Sequence, residues 1–243
     1  SAMLIRYAFN KEAIKVNEAL KKHVPPGISE LLNLQYDLTD EDSKLDLYYP
    51  SIEDSTNPRL PLIVWIHGGG LLSGDKSQVG NYCKILAAKG FVVASIDYSI
   101  APEATYPRPL VQANAALGYL KANAHRFKVD SNAIFLAGDS GGSQIAAQIG
   151  AIVSDSSYAR LIGISPSVTQ RQLTGLLLYC GIYDIAHVNM EGSFGGFMKT
   201  VLWAYSGKKD FQSDTLLKTA SVINYIKGKY PACFISAGHG DPL

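Results

Sequence analysis

At 243 residues, with 47% apolar and 18% charged side chains, the chain is long enough to bury one large core and too apolar to be disordered. Its formal charge of +1 removes the electrostatic reason to expect nucleic acid or an anionic membrane surface as a partner. Cys83, Cys180 and Cys233 are odd in number, far apart and without zinc spacing, which argues against a disulfide framework or a structural metal site. Their surroundings read as element interiors and predict three buried free thiols, in keeping with a reducing, cytoplasmic compartment. No run reaches the roughly 18 apolar residues of a membrane helix. The charged first thirty residues do not read as a signal peptide.

In chain order, KEAIKVNEALKKH (11–23) sets Ile14, Ala19 and Leu20 among lysines and glutamates, an amphipathic helix that stops before Pro25-Pro26-Gly27. NLQYDL (33–38) and KLDLYYP (44–50) alternate and read as a hairpin pair. PLIVWIHG (61–68) is a continuous apolar run, the mark of a strand covered on both faces. A helix near 77–89, the strand FVVASIDY (91–98) and a helix near 109–125 follow. The strand AIFLAG (133–138) leads into a helix at about 141–153. LTGLLLYCG (173–181) and CFISAG (233–238) are two further buried strands. Strands alternating with helices of this length predict an α/β fold with a mostly parallel sheet covered on both sides. Between Ile185 and Tyr225 the periodicity blurs among glycines and aromatics, which an insertion over the top of the sheet would explain; the alternative is one ordinary crossover helix with a loose loop.

Two motifs carry chemistry. In Gly138-Asp139-Ser140-Gly141-Gly142 the glycines relieve crowding at a strand-to-helix turn that lifts the serine hydroxyl above the sheet and aims the helix N-terminus at it. The same letters occur around the nucleophile of trypsin-like proteases. Those are all-β, disulfide-stapled and carry the serine late in the chain, so the strand–turn–helix setting here rejects them. The second motif, His67-Gly68-Gly69-Gly70, closes the LIVWI strand with three bare backbone N–H groups able to approach an anion closely.

Together these residues resemble the α/β-hydrolase superfamily, specifically the hormone-sensitive-lipase-like carboxylesterases. DYSIAPEATYP (97–107) and YPACFISAGHGDPL (230–243) extend the likeness. The resemblance implies an α/β-hydrolase fold with a small helical cap, as one domain over 1–243 with cap elements at about 1–30 and 187–210. It implies Ser140 as nucleophile, Asp241 as triad acid (Asp184 ranking behind it), and an oxyanion hole from the N–H groups of Gly69, Gly70 and Gly141. His67 and Asp139 would be structural near the site, with Tyr98, Ala101, Pro102 and Glu103 buttressing it. No cofactor or metal is implied. The partner is a small, fairly hydrophobic ester, and a homodimer through the sheet edge is an expectation.

In that family the chain order runs Ser…Asp…His. None of His23, His67, His125, His187 and His239 follows Asp241, so the last strand and helix of the fold and the triad base are expected to be absent from these residues, leaving the chain as given inactive. The alternatives are a non-catalytic small-molecule binding protein on the same scaffold and an amidase or arylformamidase sharing the same catalytic parts.

Overall fold

The computed structural model describes residues 1–51 and 59–241. Among them seven strands form one sheet: β1 (Ile28–Gln35), β2 (Lys44–Pro50), β3 (Leu60–Ile66), β4 (Val92–Ile96), β5 (Val129–Asp139), β6 (Leu173–Tyr179) and β7 (Ala232–Ser236). Their order across the sheet is β1-β2-β4-β3-β5-β6-β7. β1 pairs antiparallel with β2, and β2 with β4, while every pairing from β4 through β7 is parallel.

The central strand β3 shows why the sheet is covered twice. Successive side chains point to opposite faces of a strand. Leu62, Val64 and Ile66 enter the larger core with the helices α3 (Arg108–Ala122) and α4 (Gly141–Ser154). Ile63 and Trp65 enter a smaller core on the other face with Cys83 and Ala87 of α2 (Gly80–Ala87). Because neither face of β3 meets water, its sequence is a run and not an alternation. Every residue of α4 from Gly142 to Ile152 is buried, Ser143, Gln144 and Gln148 included, so the helix is enclosed on all sides.

Three elements differ most from expectation. The N-terminal helix α1 spans Ala2–Leu20, with a further 3-10 turn at Lys21–His23; its start is earlier than the 11–23 pattern because Met3, Leu4 and Tyr7 face solvent and add no periodicity. β1 already begins at Ile28, so the expected cap boundary at 30 falls inside the first strand, and its alternation breaks at a register shift between Leu31 and Leu34. A helix not anticipated, α5 (Ser156–Ile162), follows α4; Asp155 caps it by accepting from Ser157 N (2.8 Å), and Gly163 ends it at φ +75°. Between β6 and β7 lie α6 (Gly192–Ser206), α7 (Thr215–Lys218) and three single 3-10 turns, more than the single crossover helix that was the alternative to an insertion there.

The cysteines also need correcting. All three are free, but only Cys83 is buried. Cys180 is half-buried just past the end of β6, and Cys233 is exposed because β7, at the sheet edge, has neither face covered, so that Phe234 and Ile235 are exposed as well. A strand interior is a buried position only where an element covers the face to which the side chain points. Among the described residues no helix is long and apolar enough to cross a membrane, and no cluster of metal-ligating side chains occurs.

Candidate active site

β5 ends at Asp139 and α4 begins at Gly141, leaving Ser140 alone on the bend at φ +49°, ψ −117°. A residue with a Cβ rarely adopts this conformation, which costs on the order of 1–3 kcal/mol and persists only where the surroundings impose it. The surroundings here are specific. Ser140 N–H donates to Tyr179 O on β6 (2.8 Å), and Ser140 O accepts from Gln144 N of the first turn of α4 (3.1 Å). The helix start also sits against the end of β3, where a Cβ on Gly142 would lie 2.0 Å from Ile66 O. The bend is held by main chain on both sides.

The glycine turn after β3 meets this bend through Asp139. Its Oδ1 accepts from Gly68 N (3.1 Å) and from Trp65 Nε1 (3.3 Å). Burial pushes the Asp139 carboxyl up, against the opposing pull of His67 and of these two donors. Gly69 and Gly70 follow at φ +103° and +62°, and a Cβ on Gly69 would strike Ser73 O at 2.3 Å. Gly69 O is itself engaged, accepting from Leu72 N, Ser73 N and Ser73 Oγ. The turn is therefore a closed, internally bonded structure.

His67 sits beneath it, 2% exposed, with its ring stacked on Tyr98 at 4.3 Å between centroids. Its Nδ1 lies 2.8 Å from Gly68 O, and a carbonyl only accepts, so Nδ1 carries the hydrogen. Tyr98 hydroxyl donates to His67 O (2.8 Å), fixing the same segment from below. Burial lowers the His67 pKa, and its buried Nε2 has no hydrogen-bond partner among the described residues. A neutral, enclosed ring positions the glycine turn and stands in no path to a substrate. Because the folded state resists protonation, the stability His67 contributes is whole above the ordinary value of about 6.5 and declines as pH falls through it. Nitrogen chemical shifts should accordingly show the His67 ring still mostly neutral at its ordinary midpoint of about pH 6.5; a ring mostly charged there would contradict this placement.

Gly70, Ser140 and Gly141 line one narrow crevice, whose other walls include Leu71, Ile182, Phe197, Met198 and Val201. The structure thus brings the serine and two of the three expected oxyanion glycines to a common, largely apolar space. α6 supplies Phe197, Met198 and Val201, and the ring of Phe9 of α1 lies tilted against Phe197 at 5.6 Å between centroids. Both segments expected to roof the site approach it.

Asp241 lies on the loop after β7, where its N–H donates to Gly238 O (3.1 Å). It borders a second hollow together with Cys180, Asp184 and His187, and Ile182 is common to both spaces. Burial, reinforced by a hydrogen bond to Asp241, raises the Cys180 thiol pKa. Asp184 Oδ2 and His187 Nδ1 are 2.7 Å apart, with the imidazole largely in solvent. His23, His125 and His239 are also exposed.

One contributor escaped the sequence reading. Arg6 of α1 donates from Nε to Leu72 O (2.6 Å) and from Nη2 to Ala101 O (2.7 Å), while also binding both carboxylate oxygens of Glu103. Asn10, one turn on, accepts from Gly74 N (2.9 Å). The N-terminal helix thereby ties the glycine turn to the Tyr98–Glu103 loop. Of the expected buttresses, Tyr98 and Ala101 are buried, and Glu103 is an ion-pair partner of Arg6 at the surface. No local signal reveals Arg6, since its partners lie 66 to 97 residues away.

Sheet, elbow and glycine turn together define an α/β-hydrolase. The sequence model of the BD-FAE family matches residues 45–243, and the chain belongs to that family. Among curated proteins it is similar to esterase LipQ of Mycobacterium tuberculosis (strain ATCC 25618 / H37Rv), 26% identical over 187 residues, covering 76% of this chain and 43% of that protein. It is also similar to an acetyl esterase of Salmonella choleraesuis (strain SC-B67), 25% identical over 189 residues, covering 74% and 55% respectively. The chain spans about a quarter to a half of the length of the curated relatives it matches. Among solved structures, an inhibited esterase B from Lactobacillus rhamnosis superposes with a TM-score of 0.82 at 23% identity, over 97% of this chain and 75% of that one. An esterase from Pyrobaculum calidifontis gives 0.72 at 22% identity, over 97% and 73%.

Proposed function

We propose that the protein is a carboxylic ester hydrolase working through an acyl-enzyme on Ser140. The observation that carries this reading is Ser140 held at φ +49° in the same crevice as Gly70 and Gly141. Strain imposed by main-chain contacts on one half-buried serine is a feature of reaction sites, and an apolar crevice beside it suits a short acyl group. The names of the curated relatives, several of them esterases and one an acetyl esterase, support the same class.

In this scheme the Ser140 hydroxyl attacks the ester carbonyl while an imidazole takes its proton. The negative oxygen that forms is met by the N–H groups of Gly69, Gly70 and Gly141. Loss of one such donor costs about 2.7–4 kcal/mol in a serine protease where it was removed. The imidazolium returns the proton to the departing alkoxide, and water, activated by the same base, releases the acid. Asp241 orients and charge-stabilises the imidazole. The domain is read as a single hydrolase unit, with α1 and α6 as its cap.

None of the five histidines of residues 1–243 is assigned as the base. His67 is enclosed and neutral, and His187 is bonded to Asp184 on the surface. Triad hydrolases lacking one member keep about 10³–10⁴-fold acceleration over water. Turnover of p-nitrophenyl acetate by the 243-residue chain should stay near that residual level, and protein expressed from the whole reading frame should exceed it by at least about a hundredfold. Equal and fast rates from both would place the base within these residues and remove this assignment. Ester hydrolysis by neither would favour the binding-protein alternative.

A further inference from the structure

The crevice beside Ser140 has little room. It offers about 30 Å³, the space of one or two water molecules. A second hollow of about 160 Å³ is walled mainly by Val188, Met190, Phe211 and Leu217, with the exposed Gln212 and Lys218 as its polar members. Ile185 is common to the two linings. Its place is fixed from both sides. It opens the 3-10 turn Ile185–His187, in which the next N–H, that of Ala186, donates to Ser221 Oγ (3.0 Å) and to Asp184 Oδ1 (3.2 Å). Tyr183 O, two residues before it, accepts from Ile223 N (3.2 Å). Ile185 is thereby tied to the segment that follows α7, and it is buried in the same core cluster as Met198, Val201, Phe211 and Leu217. A side chain held between two apolar spaces partitions them.

We propose that Ile185 sets the length of acyl chain the site accepts, by closing the crevice beside Ser140 off from the larger hollow. This rests on the reading of Ser140 as the nucleophile and Asp241 as the triad acid. The acyl carbon bonds to the serine oxygen. The imidazole that protonates the departing alkoxide belongs beside Asp241, which borders the hollow on the other side of Ile182. The alcohol part therefore leaves toward that hollow, and the apolar crevice is left to the acyl chain. An acetyl methyl group fits in about 30 Å³; a hexanoyl chain fits only if the crevice runs on into the second hollow, which is about five times as large. Ile185 stands where the two would join.

The test compares kcat/KM for p-nitrophenyl acetate and p-nitrophenyl hexanoate on protein from the whole reading frame, as wild type, Ile185→Val and Ile185→Ala. After correction for the hydroxide rates of the two esters, wild type should favour the acetate at least about tenfold. Ile185→Ala should raise the hexanoate-to-acetate ratio at least about tenfold, since each methylene newly buried is worth roughly fourfold. Ile185→Val removes one carbon, keeps the core nearly filled and should move the ratio the same way by about two- to fourfold, which decides the matter if the alanine variant does not fold. A wild type that takes both esters equally well overturns the proposal without recourse to any variant. A ratio that stays at the wild-type value in the folded variants overturns it as well. Hydrolysis of neither ester removes the nucleophile reading, and the length limit with it; hydrolysis of both without dependence on length removes the limit alone.

Discussion

Ser140→Ala should abolish ester turnover in protein expressed from the whole reading frame, by on the order of 10⁶-fold in kcat, as loss of the nucleophile does in a triad protease. Its melting temperature should scarcely change. Alanine keeps a Cβ, so the strain of φ +49° remains, and the hydrogen bonds that hold the bend run through the Ser140 N–H and C=O, which the substitution preserves. Ser140→Gly separates strain from chemistry. It should be equally inactive yet more stable, by about 1 kcal/mol, because glycine accepts the left-hand region without a steric cost. Thermal unfolding of the three proteins beside their p-nitrophenyl acetate rates checks both statements. An alanine variant with ordinary turnover would remove Ser140 from the chemistry.

Gly142→Ala should be the most damaging single methyl group in the molecule. Its Cβ would lie 2.0 Å from Ile66 O and 2.6 Å from His67 O, both main-chain atoms of β3 and the glycine turn. Main chain in the centre of a sheet does not move aside as a side-chain tip does, so the first turn of α4 must lift, carrying the elbow and Ser140 with it. Overpacking of this kind costs typically 1–3 kcal/mol and here should exceed about 3 kcal/mol, seen as a lowered denaturation midpoint and lost activity together. Gly196, in the interior of α6, is the control. Nothing lies within 4 Å of a Cβ built there and its φ is ordinary, so Gly196→Ala should stabilise by up to about 1 kcal/mol. Equal effects at the two positions would show that close approach at the elbow is not what requires glycine.

These contacts also show how far local pattern reaches. The strands from Leu60 to Tyr179 were legible because burial on both faces writes a continuous apolar run, and the elbow because Gly138, Gly141 and Gly142 surround a serine between a strand and a helix. α5 was overlooked although its start and stop are written locally, by Asp155 as N-cap and Gly163 as the left-handed terminator; seven residues are too few to show a period. β1 was misplaced because Asn33, at φ +57°, breaks the alternation to give its N–H to Asp46 Oδ1 (2.8 Å), a partner on the next strand. Cys233 was expected inside and lies outside, since strand order, and hence which strand is the edge, is set by the topology of the whole sheet. At the site, the residues that hold the backbone's own shape were readable. Arg6 and Asn10 were not, because each acts on a carbonyl or an N–H of distant chain.

Ser140 as an activated nucleophile beside the glycine turn is tested most directly by a fluorophosphonate reagent and intact mass, with the modified residue located by peptide fragmentation. Protein from the whole reading frame should take up one phosphonyl group, on Ser140, and Ser140→Ala should take up none. A folded protein that stays unmodified, or one modified at another residue, would contradict the assignment.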